Sequence, residues 1–162
     1  MERVGDILWH TSDEVTRDEV VPGLWQGDWP YPSDLFGFDV VISATAEGKP
    51  PMPTLRPDAI HVHVPIHDAD MDQPDLVRDV ARQVAVLHTS GRIVLVHCAQ
   101  GWNRSGVITA RALMFEGWAV EDAIEVVRRA RGRWALCNPL FVQWLRQEAV
   151  SPVSQMEVWG VA

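Results

Sequence analysis

A cysteine, an arginine and a hydroxyl residue share one short stretch, Ile93-Val94-Leu95-Val96-His97-Cys98-Ala99-Gln100-Gly101-Trp102-Asn103-Arg104-Ser105-Gly106. The β-branched run before Cys98 reads as a buried strand, and the apolar residues after Arg104 recur at helical spacing. A tight loop between strand and helix aims consecutive backbone N–H groups inward at a helix N-terminus, which makes it a cradle for an anion. Arg104 can close a planar fork on two oxygens of a tetrahedral anion. Gly101 and Gly106 let the backbone turn and pack closely. Cys98 lies at the base of this electropositive cradle, where a thiolate is favoured and can act as a nucleophile. These types at this spacing fit attack by sulfur on phosphorus. The alternative, a structural cysteine beside a helix-start arginine, would strand a guanidinium at a core strand end with no anion to meet.

Residues 97–106, His-Cys-x-x-Gly-x-x-Arg-Ser-Gly, resemble the signature loop of the cysteine-based protein tyrosine phosphatase superfamily, and the short chain is most similar to its dual-specificity branch. Pro22-Gly23-Leu24-Trp25-Gln26-Gly27 resembles that branch's Pro-x-Leu-aromatic-x-Gly opening. The segment from Asn138-Pro139 through Phe141 is similar to the helix that closes the fold, with its first two residues exchanged. The resemblance spans Val20 to Glu148. It implies a metal-independent phosphomonoester hydrolase, without cofactor, working through a cysteinyl-phosphate intermediate. Cys98 would be the nucleophile, and Ala99, Gln100, Gly101, Trp102, Asn103 and Arg104 would hold the phosphate. Ser105 would hydrogen-bond the departing thiolate. His97 is expected to orient the loop by side chain–backbone bonds and Asn103 to stabilise its conformation, while Trp102 either stacks on an aryl substrate or walls the pocket.

Transfer to a thiolate also needs a general acid for the leaving oxygen and then a base for water. Val64-Pro65-Ile66-His67-Asp68 resembles the family's Ile-Pro-Val-x-Asp pattern and stands 30 residues before Cys98, making Asp68 the expected acid. Asp70 is the reserve and Asp72 a third. Asp-x-Asp-x-Asp also opens a calcium loop, but Gln73 and Pro74 stand where the sharp turn needs Gly. His61 and His63 lie on one strand face at period two and read as half-buried strand histidines, not as metal ligands. Trp29-Pro30 has no following Asp and reads as wall or surface.

The elements that must position these residues follow in order. Residues 1–19 read as an extended or loosely helical lead-in, Val20–Gly27 as a strand pair about a Pro-Gly turn, and 28–32 as a loop. Phe38–Ser43 reads as a buried strand, Ala46–Pro57 as a Pro-rich connector that is either a loop near the site or, by preference, plain surface, and Ile60–Ile66 as a strand. A helix over Asp75–His88 would bury Leu76, Val80, Val84 and Leu87. After the cradle, helices are expected from Val107 to near Gly117, from Val120 to Arg131 with Ala123, Ile124 and Val127 inward, and from the Asn138 cap. Arg128, Arg129 and Arg131 suit the dipole of a last turn on a solvated face. Strands alternating with helices give α/β, a mostly parallel central sheet flanked by helices in one dual-specificity phosphatase-like domain over 20–148, with the site at the strands' C-terminal edge. Residues 149–162 read as a tail.

The 162 residues suffice for one sizeable core. A net charge of −8 argues against general affinity for nucleic acid or anionic membrane. Two cysteines make no disulfide framework, and a reducing cytoplasm suits a catalytic thiolate. Cys137 is expected to be structural and not a redox partner of Cys98, and most of the eight tryptophans to be core or pocket wall. The expected protein is cytoplasmic and monomeric, acting on a phosphorylated protein or small phosphomonoester. Two other classes stand beside it. One is an RNA 5′-triphosphatase-like enzyme, whose loop is also similar to Gly-x-Asn-Arg-(Ser/Thr)-Gly, opposed by the acidic charge and the acid loop. The other is a non-catalytic phosphosite-binding module, opposed by the presence of Cys98, Arg104 and Asp68 together.

Overall fold

The computed structural model describes residues 16–30 and 34–151. The expectations for residues 1–15, for Tyr31-Pro32 and for the tail beyond Ser151 lie outside the described residues. Among the described residues, five strands and four helices form one α/β unit: β1 (Arg17–Val21), β2 (Leu24–Gly27), β3 (Val40–Ser43), β4 (Ile60–His63), α1 (Pro74–Thr89), β5 (Val94–His97), α2 (Arg104–Phe115), α3 (Val120–Arg131) and α4 (Pro139–Val150). The sheet order is β1-β2-β5-β3-β4, with β1 antiparallel to β2 and the remaining pairs parallel.

β5 runs through the middle, and all four of its residues are buried. A parallel strand covered on both faces needs such an unbroken apolar run, which is why it was readable. Its alternate residues serve two cores. Val94 and Val96 join Leu24, Val40 and Ile42 beneath the helices, while Leu95 joins Val41, Leu35 and Phe38 on the opposite face. Met52 and Leu55 pack on that second face, so the Pro-rich connector is not plain surface: it roofs the sheet where no helix does.

Several boundaries differ from expectation. β1 starts at Arg17, inside the expected lead-in, because its backbone pairs Arg17 with Gly27. β4 stops at His63, short of Ile66. Leu76, expected inward, is 37% exposed, and the buried stripe of α1 is Val77, Ala81, Val84 and Ala85. Two alanines on that stripe let α1 come close to α2, whose residues 104–113 are all buried. Of the six tryptophans among the described residues only Trp144 is fully buried; Trp118 and Trp134 are exposed.

One ion cluster stitches the helices together. Glu148 of α4 accepts from Arg78 of α1 at 2.8 Å through both oxygens and from Arg111 of α2 at 3.1 Å. Burial opposes the Glu148 charge, but the two guanidiniums hold its carboxyl below the usual range. No helix among the described residues is long and apolar enough to cross a membrane.

Candidate active site

Parallel pairing sets Gly27 beside His97 and His97 beside Ser43, so β2, β5 and β3 end together at one edge of the sheet. The chain leaves β5 at Cys98 and re-enters regular structure at Arg104, the first residue of α2. Between them the loop curls around the Cys98 thiol, which is 2% exposed. The Gly101 N–H donates to Sγ at 3.2 Å, and the Ser105 hydroxyl lies 3.2 Å from it. The N–H points at the sulfur, and the hydroxyl can donate to it or accept from it.

Gly101 has no substitute in this turn. Its φ is +70°, and a Cβ there would fall 2.5 Å from the Gly27 backbone. Its carbonyl is held from behind by Gln26 Nε2 at 3.0 Å and Arg131 Nε at 3.1 Å. Arg131 also grips Asp18 of β1 at 2.6 Å with its side chain only 4% exposed. The expectation of a solvated arginine face therefore fails at Arg131, which braces the cradle, and at Arg128, which donates to the carbonyls of Ala135 and Leu136. Arg129 alone keeps the surface role, paired with Glu125.

Arg104 is 6% exposed, and its two terminal nitrogens grip the Glu47 carboxylate at 2.8 and 2.9 Å. Nη1 also donates to the Ile66 carbonyl at 3.3 Å. Its Nε is buried without a partner, a donor left over for an oxyanion. Burial opposes the Glu47 charge, but Arg104 outweighs it and keeps the carboxyl below the usual range. Glu47 was missed in sequence because it opens the connector assigned to the surface, 57 residues from its partner.

Asp68 lies on the exposed turn after β4 with both carboxylate oxygens engaged. Oδ2 accepts from Asn103 Nδ2 at 2.9 Å and Oδ1 from Asn138 Nδ2 at 2.9 Å. Asp68 thus stands beside the residue preceding Arg104. Asp70, the reserve acid, lines a groove with Leu140 and Gln143 of α4. Asp72 is exposed. Asn103, expected to stabilise its own loop, turns its side chain outward: Oδ1 accepts the Asn138 N–H at 2.9 Å. Asn138 was legible only as a helix cap, a role it also fills by accepting from Leu140 N at 3.0 Å.

His97 is fully buried, and its ring bonds a side chain of β3. Its Nε2 lies 2.6 Å from Ser43 Oγ, which lies 2.8 Å from His61 Nε2. One hydroxyl proton cannot serve both rings, so Ser43 donates to one histidine and accepts from the other. Burial pushes His97 down to about 3 and His61 down to about 4, and both rings are neutral at pH 7.

At the rim, the Trp102 indole packs against Trp134 at 6.2 Å between centroids, and Arg133 lies over Trp134. Trp29 meets the His97 ring edge-on at 6.1 Å, which makes it a wall. Cys137 is exposed, and its sulfur accepts from Asn103 Nδ2 at 3.4 Å. Ala99 and Gln100 are half-buried on the loop. Among the described residues, no three His, Cys, Asp or Glu side chains converge as a metal ion would require.

A buried sulfur met by the Gly101 N–H and the Ser105 hydroxyl lies on a loop that ends at a buried arginine. The chain belongs to the family of dual specificity phosphatase catalytic domains, which it matches over residues 26–150. It is 29% identical over 110 residues to the tyrosine-protein phosphatase MSG5 of Saccharomyces cerevisiae, covering 63% of this chain and 22% of that protein. The chain therefore spans about a fifth of that relative's length. Among solved structures, a mouse dual specificity phosphatase complexed with zinc tungstate superposes with a TM-score of 0.75 at 21% identity, covering 87% of this chain and 91% of that one. DUSP15 does so with a TM-score of 0.72 at 25% identity over 88% and 91%. Human DUSP28 gives 0.72 at 21% identity over 85% and 99%.

Proposed function

We propose that this domain hydrolyses phosphomonoesters of phosphorylated proteins, phosphotyrosine or phosphoserine and phosphothreonine, with Cys98 as nucleophile and Asp68 as acid and then base. The supporting observation is that Cys98 and Asp68 both lie close enough to the buried Arg104 guanidinium to favour its charge, while Arg104 Nε has no partner. In the first step the Cys98 thiolate forms an S–P bond as the P–O bond to the leaving group breaks. The leaving oxygen takes the proton of the Asp68 carboxyl. Each Asp68 oxygen accepts one amide bond and keeps another lone-pair site, so holding that proton does not require breaking the contacts. In the second step water attacks phosphorus and gives its proton to the Asp68 carboxylate. The S–P bond breaks, orthophosphate leaves, and the Ser105 hydroxyl steadies the returning thiolate.

Cys98→Ser should abolish hydrolysis of an aryl phosphate while still binding it, and chelators should leave the wild type unaffected. Asp68→Asn should lower kcat by about 10²- to 10⁴-fold with little change in KM. Turnover by Cys98→Ser above about one per cent of wild type, or EDTA-sensitive activity, would end the cysteine mechanism. A crippled Asp70→Asn beside an active Asp68→Asn would move the acid to Asp70.

A further inference from the structure

We infer that Asn103 and Asn138 together latch Asp68 over the cradle, as positioning residues that fix where the acid's proton is delivered. The inference rests on Asp68 being the acid, and it concerns two side chains whose sequence roles were different.

The geometry is specific. The two amides approach the carboxyl from separate elements: Asn103 precedes α2 directly, and Asn138 caps α4. Each donates an Nδ2–H to a different Asp68 oxygen at 2.9 Å, which fixes the plane of the carboxyl as well as its position. One donor alone would leave it free to rotate about that bond. Asn138 Nδ2 also reaches the Ala69 carbonyl at 2.9 Å, tying down the backbone next to the acid. The amides are themselves oriented. Asn103 Oδ1 accepts the Asn138 N–H, and Asn138 Oδ1 accepts the Leu140 N–H, so neither can flip without losing a backbone bond. Asn103 is 7% exposed and adjoins Arg104 in sequence, which couples the acid's position to the guanidinium that would hold the phosphate. The exposed turn His67-Asp68-Ala69-Asp70 would otherwise sample many conformations. Catalysis by a positioned acid depends on its approach to about 3 Å of the leaving oxygen, and a displacement of about 1 Å can cost about a hundredfold.

The test separates positioning from mere folding by varying the leaving group. Phenyl phosphate needs its leaving oxygen protonated more than p-nitrophenyl phosphate does, and kcat/KM reports the first chemical step. Asn103→Ala removes one latch. Asn138→Ser removes the other while keeping an oxygen for the helix cap. Asn103→Asp retains the acceptor for the Asn138 N–H and sets a like charge in place of the donor. Each should lower kcat/KM for phenyl phosphate by about ten- to a hundredfold and for p-nitrophenyl phosphate by several-fold less. In an Asp68→Asn background the same changes should add almost nothing, because the acid they position is gone.

Equal losses on both substrates that persist in the Asp68→Asn background would overturn the latch and leave two structural asparagines. A thermal melt of each variant guards against counting unfolded protein as slow enzyme. If Asp68→Asn itself shows no leaving-group dependence, the acid assignment fails first, and the latch with it.

Discussion

Arg131 offers the sharpest test of how the cradle is supported, because it stands at the end of a helix on the far side of the loop from any substrate. Arg131→Ala removes a side chain that is 4% exposed, and three losses follow. Burial of its stem contributes about 2 kcal/mol at about 0.8 kcal/mol for each methylene. The hydrogen bond to the Gly101 carbonyl contributes about 1 kcal/mol, limited because Gln26 still donates to the same oxygen. The ion pair with Asp18 adds at most about 1 kcal/mol, since that carboxylate is 48% exposed and screened. A loss of about 3 kcal/mol lowers Tm by about 6–12 °C in a chain of this length. Arg131→Lys keeps most of the stem and the charge but not the fork, and should cost about 1 kcal/mol. Differential scanning fluorimetry with urea unfolding measures both. Because the carbonyl being braced belongs to the residue whose N–H donates to Cys98, kcat/KM for an aryl phosphate should also fall in the folded Ala variant. An Ala variant that melts within about 2 °C of wild type with undiminished activity would refute the brace.

Three further outcomes follow from the same geometry. Glu47→Gln replaces a carboxylate gripping Arg104 with an amide that cannot accept on both sides, and kcat/KM should fall about tenfold through a misaimed guanidinium; tighter phosphate binding instead would mark Glu47 as a competitor for the fork. His97 and His61 stay neutral in the fold down to about 3 and about 4, whereas in the unfolded chain they titrate near 6.5. Below that value the unfolded state binds more protons, so stability should fall with falling pH, by about 1.4 kcal/mol per unit for buried His97 and less for half-buried His61; urea midpoints that do not change between pH 7 and pH 5 would contradict this. Phosphotyrosine peptides and small aryl phosphates should have higher kcat/KM than phosphatidylinositol phosphates or RNA 5′-triphosphate at near-physiological salt, because the loop interior 99–103 has no basic side chain and the chain charge is −8; a tenfold advantage for either polyanion would remove the protein-phosphatase reading.

What was legible in the sequence is what local chemistry dictates. The run into Cys98, the glycines after it and the Asn138-Pro139 cap announce themselves within a few residues, because strand burial, tight turns and capping are short-range effects. The place of Asp68 on the turn after β4 was reachable from its pattern. The supports were not. Glu47 and Arg104 are 57 positions apart, and Arg131 reaches Asp18 across 113, with no periodicity to link them. Arg131 looked like a dipole-matched last turn because a helix end facing a loop and one facing water share the same local sequence. Leu76 misled for a related reason. Helical spacing alone cannot say which of two adjacent stripes is inward, and the small residues Ala81 and Ala85 decided it by allowing α2 to come close.

The central position of β5 also has a consequence for biosynthesis. Its neighbours lie far back in the chain, His97 pairing across 70 positions with Gly27 and across 54 with Ser43. Parallel pairing at such separations must close large loops before any contact rewards it, which slows assembly. The groups that finish the cradle come later still, Arg131 from α3 and Asn138 at the start of α4. A nascent chain released only as far as α2 therefore has the loop after β5 without the side chains that brace it. The loop is fully braced only when the last helix is in place, so its shape is among the last features of the fold to be completed.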